Sequence, residues 1–218
     1  MALLGMFAVQ HSVMARPAFK RWWTRFVPQE IERSTYVLLS SAVLFLLYWQ
    51  WRPMPAVVWD VTSPAGRLAI WALFWLGWTI ALTATFLINH FDLFGLRQAY
   101  LAWRGKPYTD IGFRVRWLYR VVRHPLLLGF LIAFWAAPTM TAGHLLFALS
   151  TTGYVLLAIR LEERDLVAAL GAQYRDYRRN VPMLIPRPPA HGCSRRLFGG
   201  EQPNATPDQV QTTFQRRC

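Results

Sequence analysis

Three histidines and a pair of glutamates sit against the ends of long apolar runs, where an apolar chain has little use for them. His11 lies near the end of the stretch Met1 to Ala15, and Asn89-His90-Phe91-Asp92 closes the run Leu68 to Ile88. Arg123-His124-Pro125 opens the charge-free run Leu126 to Ile159, and Arg160 to Asp165, with Glu162-Glu163 inside it, closes that run. Imidazole exchanges protons near neutrality, guanidinium groups grip carboxylates, and carboxylates accept from ammonium and hydroxyl donors. Together such groups can hold a small charged molecule and move a proton. Other chemistries lack their residues. No Gly-x-Gly-x-x-Gly follows a strand, there is no Walker loop, and no histidine pair has the spacing of His-Glu-x-x-His, so no metal site is expected. Haem needs histidines facing one another inside a bundle, whereas His11, His90 and His124 belong near one surface. Cys193 and Cys218 are too few and too peripheral for a disulfide framework or a zinc site.

Each cluster also has a plainer reading. Arg123 could snorkel to lipid headgroups, and Pro125 could serve only as the first residue of a helix. His11 could be an interfacial histidine satisfied by backbone, and Glu162 and Glu163 with Arg160 and Arg164 could form a solvated charged face. His144 is expected to be structural.

The elements that must position these residues follow from the apolar runs. The chain is 54% hydrophobic with 11 Trp in 218 residues, more apolar surface than one soluble core of this length can bury, so lipid is part of its solvent. Tyr36 to Trp51 and Leu68 to Ile88 each approach the roughly 20 residues that cross a bilayer as a helix. Leu126 to Ile159 is too long for one span, and Pro138 to Gly143 supplies a turn within it, so a helical hairpin is expected. Met1 to Ala15 is short for a full span at about 1.5 Å per residue.

The 24 Lys and Arg residues set the orientation. Five fall in 16–33, two in 52–67, seven in 89–123, none in the Pro138 turn and ten from Arg160 onward. Basic residues gather in cytoplasmic loops, so the alternation fits five spans with the N-terminus outside. It also accounts for the net charge of +13 better than nucleic-acid binding does, and no nucleic-acid partner is expected. The fold class expected is all-α: a polytopic transmembrane bundle of about five helices, followed by a cytoplasmic amphipathic helix within Glu162 to Arg179. The stripe Glu163, Leu166, Leu170, Tyr174 and Tyr177 defines that helix. Residues 1–186 form the membrane domain, and 187–218 read as a disordered polar tail. On this topology all four polar clusters meet at one cytoplasmic depth, where ionisable groups default to function.

Arg123-His124-Pro125-Leu126-Leu127-Leu128-Gly129, then Glu162-Glu163, then Gly171-x-x-Tyr174-x-x-Tyr177-x-x-x-Val181-Pro182 resemble the membrane methyltransferases. That group includes isoprenylcysteine carboxyl methyltransferase and the phospholipid N-methyltransferases. Leu127 departs from the group pattern, which has Tyr there. Ala8 to Pro17, Glu32 to Tyr36, Trp49 to Pro53 and Asn89 to Gln98 narrow the resemblance to the methanethiol S-methyltransferase family, many of whose members carry a further hydrophobic segment upstream. The resemblance implies S-adenosyl-L-methionine as cofactor, held by Arg123, His124, Pro125, Gly129, Glu162, Glu163 and Tyr174; of the two carboxylates Glu163 is favoured because it shares the bundle-facing stripe. It implies a small volatile thiol as substrate and membrane lipid as surroundings. His11 and His90 are the candidate bases, with Asp92 orienting His90 and Arg16 or Arg97 stabilising a thiolate. A lipid-directed methyltransferase, and a non-enzymatic membrane subunit or transporter, are the alternative readings. The bacterial inner membrane is the expected location.

Overall fold

A computed structural model describes residues 2–109 and 115–186. The elements run α1 (Ala2–Met14), α2 (Pro17–Trp23), α3 (Gln29–Trp49), β1 (Val57–Asp60), α4 (Pro64–Ile88), α5 (His90–Leu93), α6 (Leu96–Trp103), α7 (Leu118–Val121), α8 (Pro125–Trp135), β2 (Thr139–Thr141), α9 (Ala142–Leu170) and α10 (Ala172–Asn180). The all-α membrane architecture is borne out. Helices α3, α4 and α9, of 21, 25 and 29 residues, are long and apolar enough to cross a membrane, while α1 and α8 are shorter apolar helices. Among the described residues these five apolar helices correspond to the four apolar runs, the last of them folded as the expected hairpin. The 13 residues of α1 and 11 of α8 reach only about 20 Å or less of the roughly 30 Å hydrocarbon core.

Proline and hydroxyl residues start the helices where the sequence places them. Pro64 and Pro125 occupy the first turns of α4 and α8, and Ser63 and Thr141 accept from the backbone N–H of Gly66 and His144. The closest helix crossing joins α4 to α8 through Gly77 and Gly129. A Cβ on Gly77 would lie 2.7 Å from the Gly129 carbonyl oxygen, and one on Gly129 would lie 2.6 Å from the Ala81 nitrogen. Small residues four apart, Gly77 with Ala81 and Gly129 with Ala133, let the backbones touch, the usual way for helices to associate where lipid removes the hydrophobic drive.

Two details differ from expectation. The Pro138 turn contains β2, which pairs antiparallel with β1 in the register Val57↔Thr141 and Asp60↔Thr139; strands this short leave no periodicity to read. The amphipathic C-terminal helix is not separate: α9 continues unbroken through Glu162 and Glu163 to Leu170, and Gly171, at φ +59°, turns the chain into α10. The left-handed conformation is open to glycine without strain. Cys193 and Cys218 and the expected tail lie outside the described residues.

Candidate active site

The ends of α3, α4, α8 and α9 that carry the polar clusters enclose a cavity of about 1420 Å³. His90, Asp92, Arg123, His124, Glu162 and Tyr174 all line it, so four separated stretches of sequence converge. The segment after α4, from α5 into the start of α6, is held at the cavity by docking on α3. Arg33 Nε donates to the Leu93 carbonyl at 2.9 Å and Ser34 Oγ to the Gly95 carbonyl at 3.0 Å. Gly95 holds φ +76°, and a Cβ there would lie 2.6 Å from both the backbone nitrogen and Oγ of Ser34, so no side chain fits. Asn89, at φ 107°, makes the bend that turns His90 back toward α4.

His90 sits in an aromatic enclosure. Its ring stacks on Phe86 at 4.5 Å, leans on Phe94 at 4.8 Å and meets the edge of Phe91 at 5.7 Å. Thr85 Oγ1 donates to the Leu82 carbonyl at 2.7 Å and lies 2.9 Å from His90 Nδ1. Asp92 does not orient His90; its carboxylate pairs with Arg97 at 3.1 Å, and Arg97 also donates to Thr109 and covers the Tyr108 ring. The expected His–Asp couple fails because His90 and Asp92 sit only two residues apart on one helical turn, which points them apart.

His11 is elsewhere. It does not line the cavity: it stacks on Phe7, and the Tyr36 hydroxyl lies 2.8 Å from its Nε2. Beside it Ser12 and Tyr154 share a 3.3 Å hydrogen bond, and Arg16 pairs with Asp165 at 2.9 Å. Neither Arg16 nor Arg97 is therefore an unattached cation.

On the opposite wall the adjacent glutamates divide. Glu163 is buried and accepts from Arg123 Nε at 2.7 Å and His124 Nε2 at 3.2 Å, with Arg178 3.8 Å away. Arg123 is further tied to the carbonyls of Arg178 and Val181. Glu162, half exposed, is the carboxylate that faces the cavity, 3.7 Å from His124 Nδ1. The preference for Glu163 as the open carboxylate is thus reversed: the apolar stripe that favoured it marks the side packed on Arg123. Pro125 and Gly129 do not line the cavity; one begins α8 and the other is filled by α4. Thr85 carries no motif, and its one hint is a hydroxyl in the last turn of an apolar helix.

A segment after α10 seals this wall. The backbone N–H groups of Arg123 and His124 donate to the carbonyls of Pro182 and Met183 at 2.8 and 3.2 Å, while Leu184 packs with Val155 and Ile159. Tyr174 and Tyr177 meet edge to face at 5.7 Å, and Tyr177 donates to the Tyr119 carbonyl at 2.7 Å. Burial, first of all, pushes the phenols of Tyr119, Tyr174 and Tyr177 above their ordinary range; Glu162 adds to this for Tyr119 and Glu163 for Tyr174. They are hydrogen-bonding phenols at any working pH. His144, far from the cavity, donates to the Phe134 carbonyl at 2.8 Å, a structural role as expected.

A family model described as NnrU protein matches residues 1–180. The methanethiol S-methyltransferase of Mycobacterium tuberculosis is 73% identical over 191 residues, covering 88% of this chain and 78% of its own. Methanethiol S-methyltransferase 2 of Bradyrhizobium diazoefficiens is 62% identical over 85% of this chain and 71% of its own, and nurim of Mus musculus is 31% identical over 76% and 66%. No solved structure matches.

Proposed function

Because this chain belongs to the NnrU protein family, alongside its methanethiol S-methyltransferases, we propose that it methylates methanethiol to dimethyl sulfide with S-adenosyl-L-methionine as donor. The observation that carries the reading is the single cavity joining an enclosed histidine, His90, to a carboxylate, Glu162, and a basic pair, Arg123 and His124. At about 1420 Å³ it exceeds the roughly 300–1,000 Å³ of ordinary small-molecule sites, enough for a donor and an acceptor together.

The donor set fits the proposed cofactor. Glu162 is open to accept from an ammonium or ribose hydroxyls. Arg123 uses Nε and Nη1 on the protein, and its Nη2 has no hydrogen bond among the described residues, so the two N–H groups of Nη2 remain for a carboxylate. Tyr119 and Tyr174 offer ring surface at the same wall. When bound, S-adenosylmethionine supplies an electrophilic methyl on a sulfonium. The chain's own task is to make the thiol nucleophilic, since a cysteine thiol has a pKa of about 8.5, an alkanethiol a higher one, and the thiolate is the reactive form. His90 accepts the thiol proton at Nε2, and the rings of Phe86 and Phe91 set apolar surface beside it for the small acceptor. His90 would carry that proton away, leaving the sulfur as the thiolate that a bound donor would methylate. Exclusion of water and fixed alignment supply the remaining acceleration.

Residues 1–186 constitute this membrane domain in our reading, with the cavity on the cytoplasmic face of a bacterial inner membrane; the bias of basic residues to that end supports it. Purified protein given S-adenosylmethionine and methanethiol should release dimethyl sulfide to the headspace, measured by gas chromatography. Labelled methyl in the lipid fraction of membranes, with none in the gas, would instead mark a lipid methyltransferase.

A further inference from the structure

We propose that Thr85 is a positioning residue that fixes the tautomer of His90. The inference rests on the reading of His90 as the base. A threonine hydroxyl has one hydrogen, and here the Leu82 carbonyl receives it at 2.7 Å. At 2.9 Å from His90 Nδ1 the same oxygen can then only accept, so the ring proton resides on Nδ1. Nε2 keeps its lone pair, and it has no hydrogen-bond partner among the described residues. Thr85 is 7% exposed, so water does not compete for this bond. The stack on Phe86, at 4.5 Å and 11°, fixes the plane of the ring, and Thr85 fixes which edge carries the proton. A histidine with its tautomer reversed presents an N–H to the thiol in place of a lone pair and accepts nothing.

Two substitutions separate this role from simple packing. Thr85→Val keeps the shape and removes the acceptor; Thr85→Ser restores it. We expect Thr85→Val to lower kcat at least about tenfold, short of the roughly 10²–10⁴-fold that removal of the base itself costs. S-adenosylhomocysteine affinity, read by calorimetry, should stay at the parent value, and Thr85→Ser should recover the rate to within about threefold. Nitrogen NMR of histidine-labelled protein, with His90 assigned from His90→Gln, should show the proton leaving Nδ1 only in the valine variant. If His90→Gln retains the parent rate, the base assignment falls and Thr85 with it. If His90→Gln is slow while Thr85→Val turns over at the parent rate, the base stands and the role of Thr85 is refuted.

Discussion

At the scale of single residues the neighbours Glu162 and Glu163 make the sharpest contrast. Removing Glu163 leaves Arg123 buried with its partner gone, so Glu163→Ala should cost about 3–5 kcal/mol, read as a lower thermal midpoint in detergent. Glu162→Ala should leave that midpoint nearly unmoved and weaken S-adenosylhomocysteine binding by roughly tenfold or more, about 1.4 kcal/mol. The opposite pattern would return the open carboxylate to Glu163. Sequence places both glutamates at the right depth, since depth follows from the charge-free run before them. Which one faces the cavity depends on rotation about α9, and one turn of mixed Arg and Glu does not set it. Likewise His11 and His90 look alike as residues at helix ends; Tyr36 and Thr85, distant or motif-free, are what make their surroundings differ.

At the scale of elements, two kinds of helical glycine can be told apart. Gly129 is pressed against α4, so Gly129→Val should overpack the crossing and destabilise by about 1–3 kcal/mol or prevent accumulation. Gly153, in α9, has open space where a Cβ would go, and Gly153→Ala should be neutral or stabilise by about 0.5–1 kcal/mol. Comparative thermal unfolding reads both. The motif Arg-His-Pro-x-x-x-Gly suggested a cofactor role for Gly129 because sequence shows that a small residue is wanted and not which neighbour wants it. The α7–α10 contact brings a pH dependence. A phenol whose folded pKa is raised binds its proton more tightly folded than unfolded, so its stabilisation is complete below about pH 10 and drains away as pH climbs further. The thermal midpoint should therefore fall above about pH 10, and less steeply in Tyr177→Phe.

At the scale of the molecule, the charge-free runs and the alternation of basic residues made the helices and their common polar end legible before any coordinates. Lipid demands long apolar runs and leaves charges nowhere to go but the ends, so topology is written plainly in such a chain. Pairings across the bundle are not, because they depend on which atoms meet: β1 with β2, Gly95 with Ser34, Arg16 with Asp165. Replacing Cys193 and Cys218 with serine and placing single cysteines at Glu30 and Thr62 tests the orientation: a membrane-impermeant thiol reagent on intact cells should label position 62 and spare position 30. The seal formed by Pro182 and Met183 has its own bearing on how the protein is made. A ribosome emits Arg123 and His124 some sixty residues before their backbone partners, so the nascent chain must hold its bundle around an open wall until Pro182 and Met183 emerge. Truncation just before Val181 should consequently yield helices that insert normally yet never acquire a working pocket.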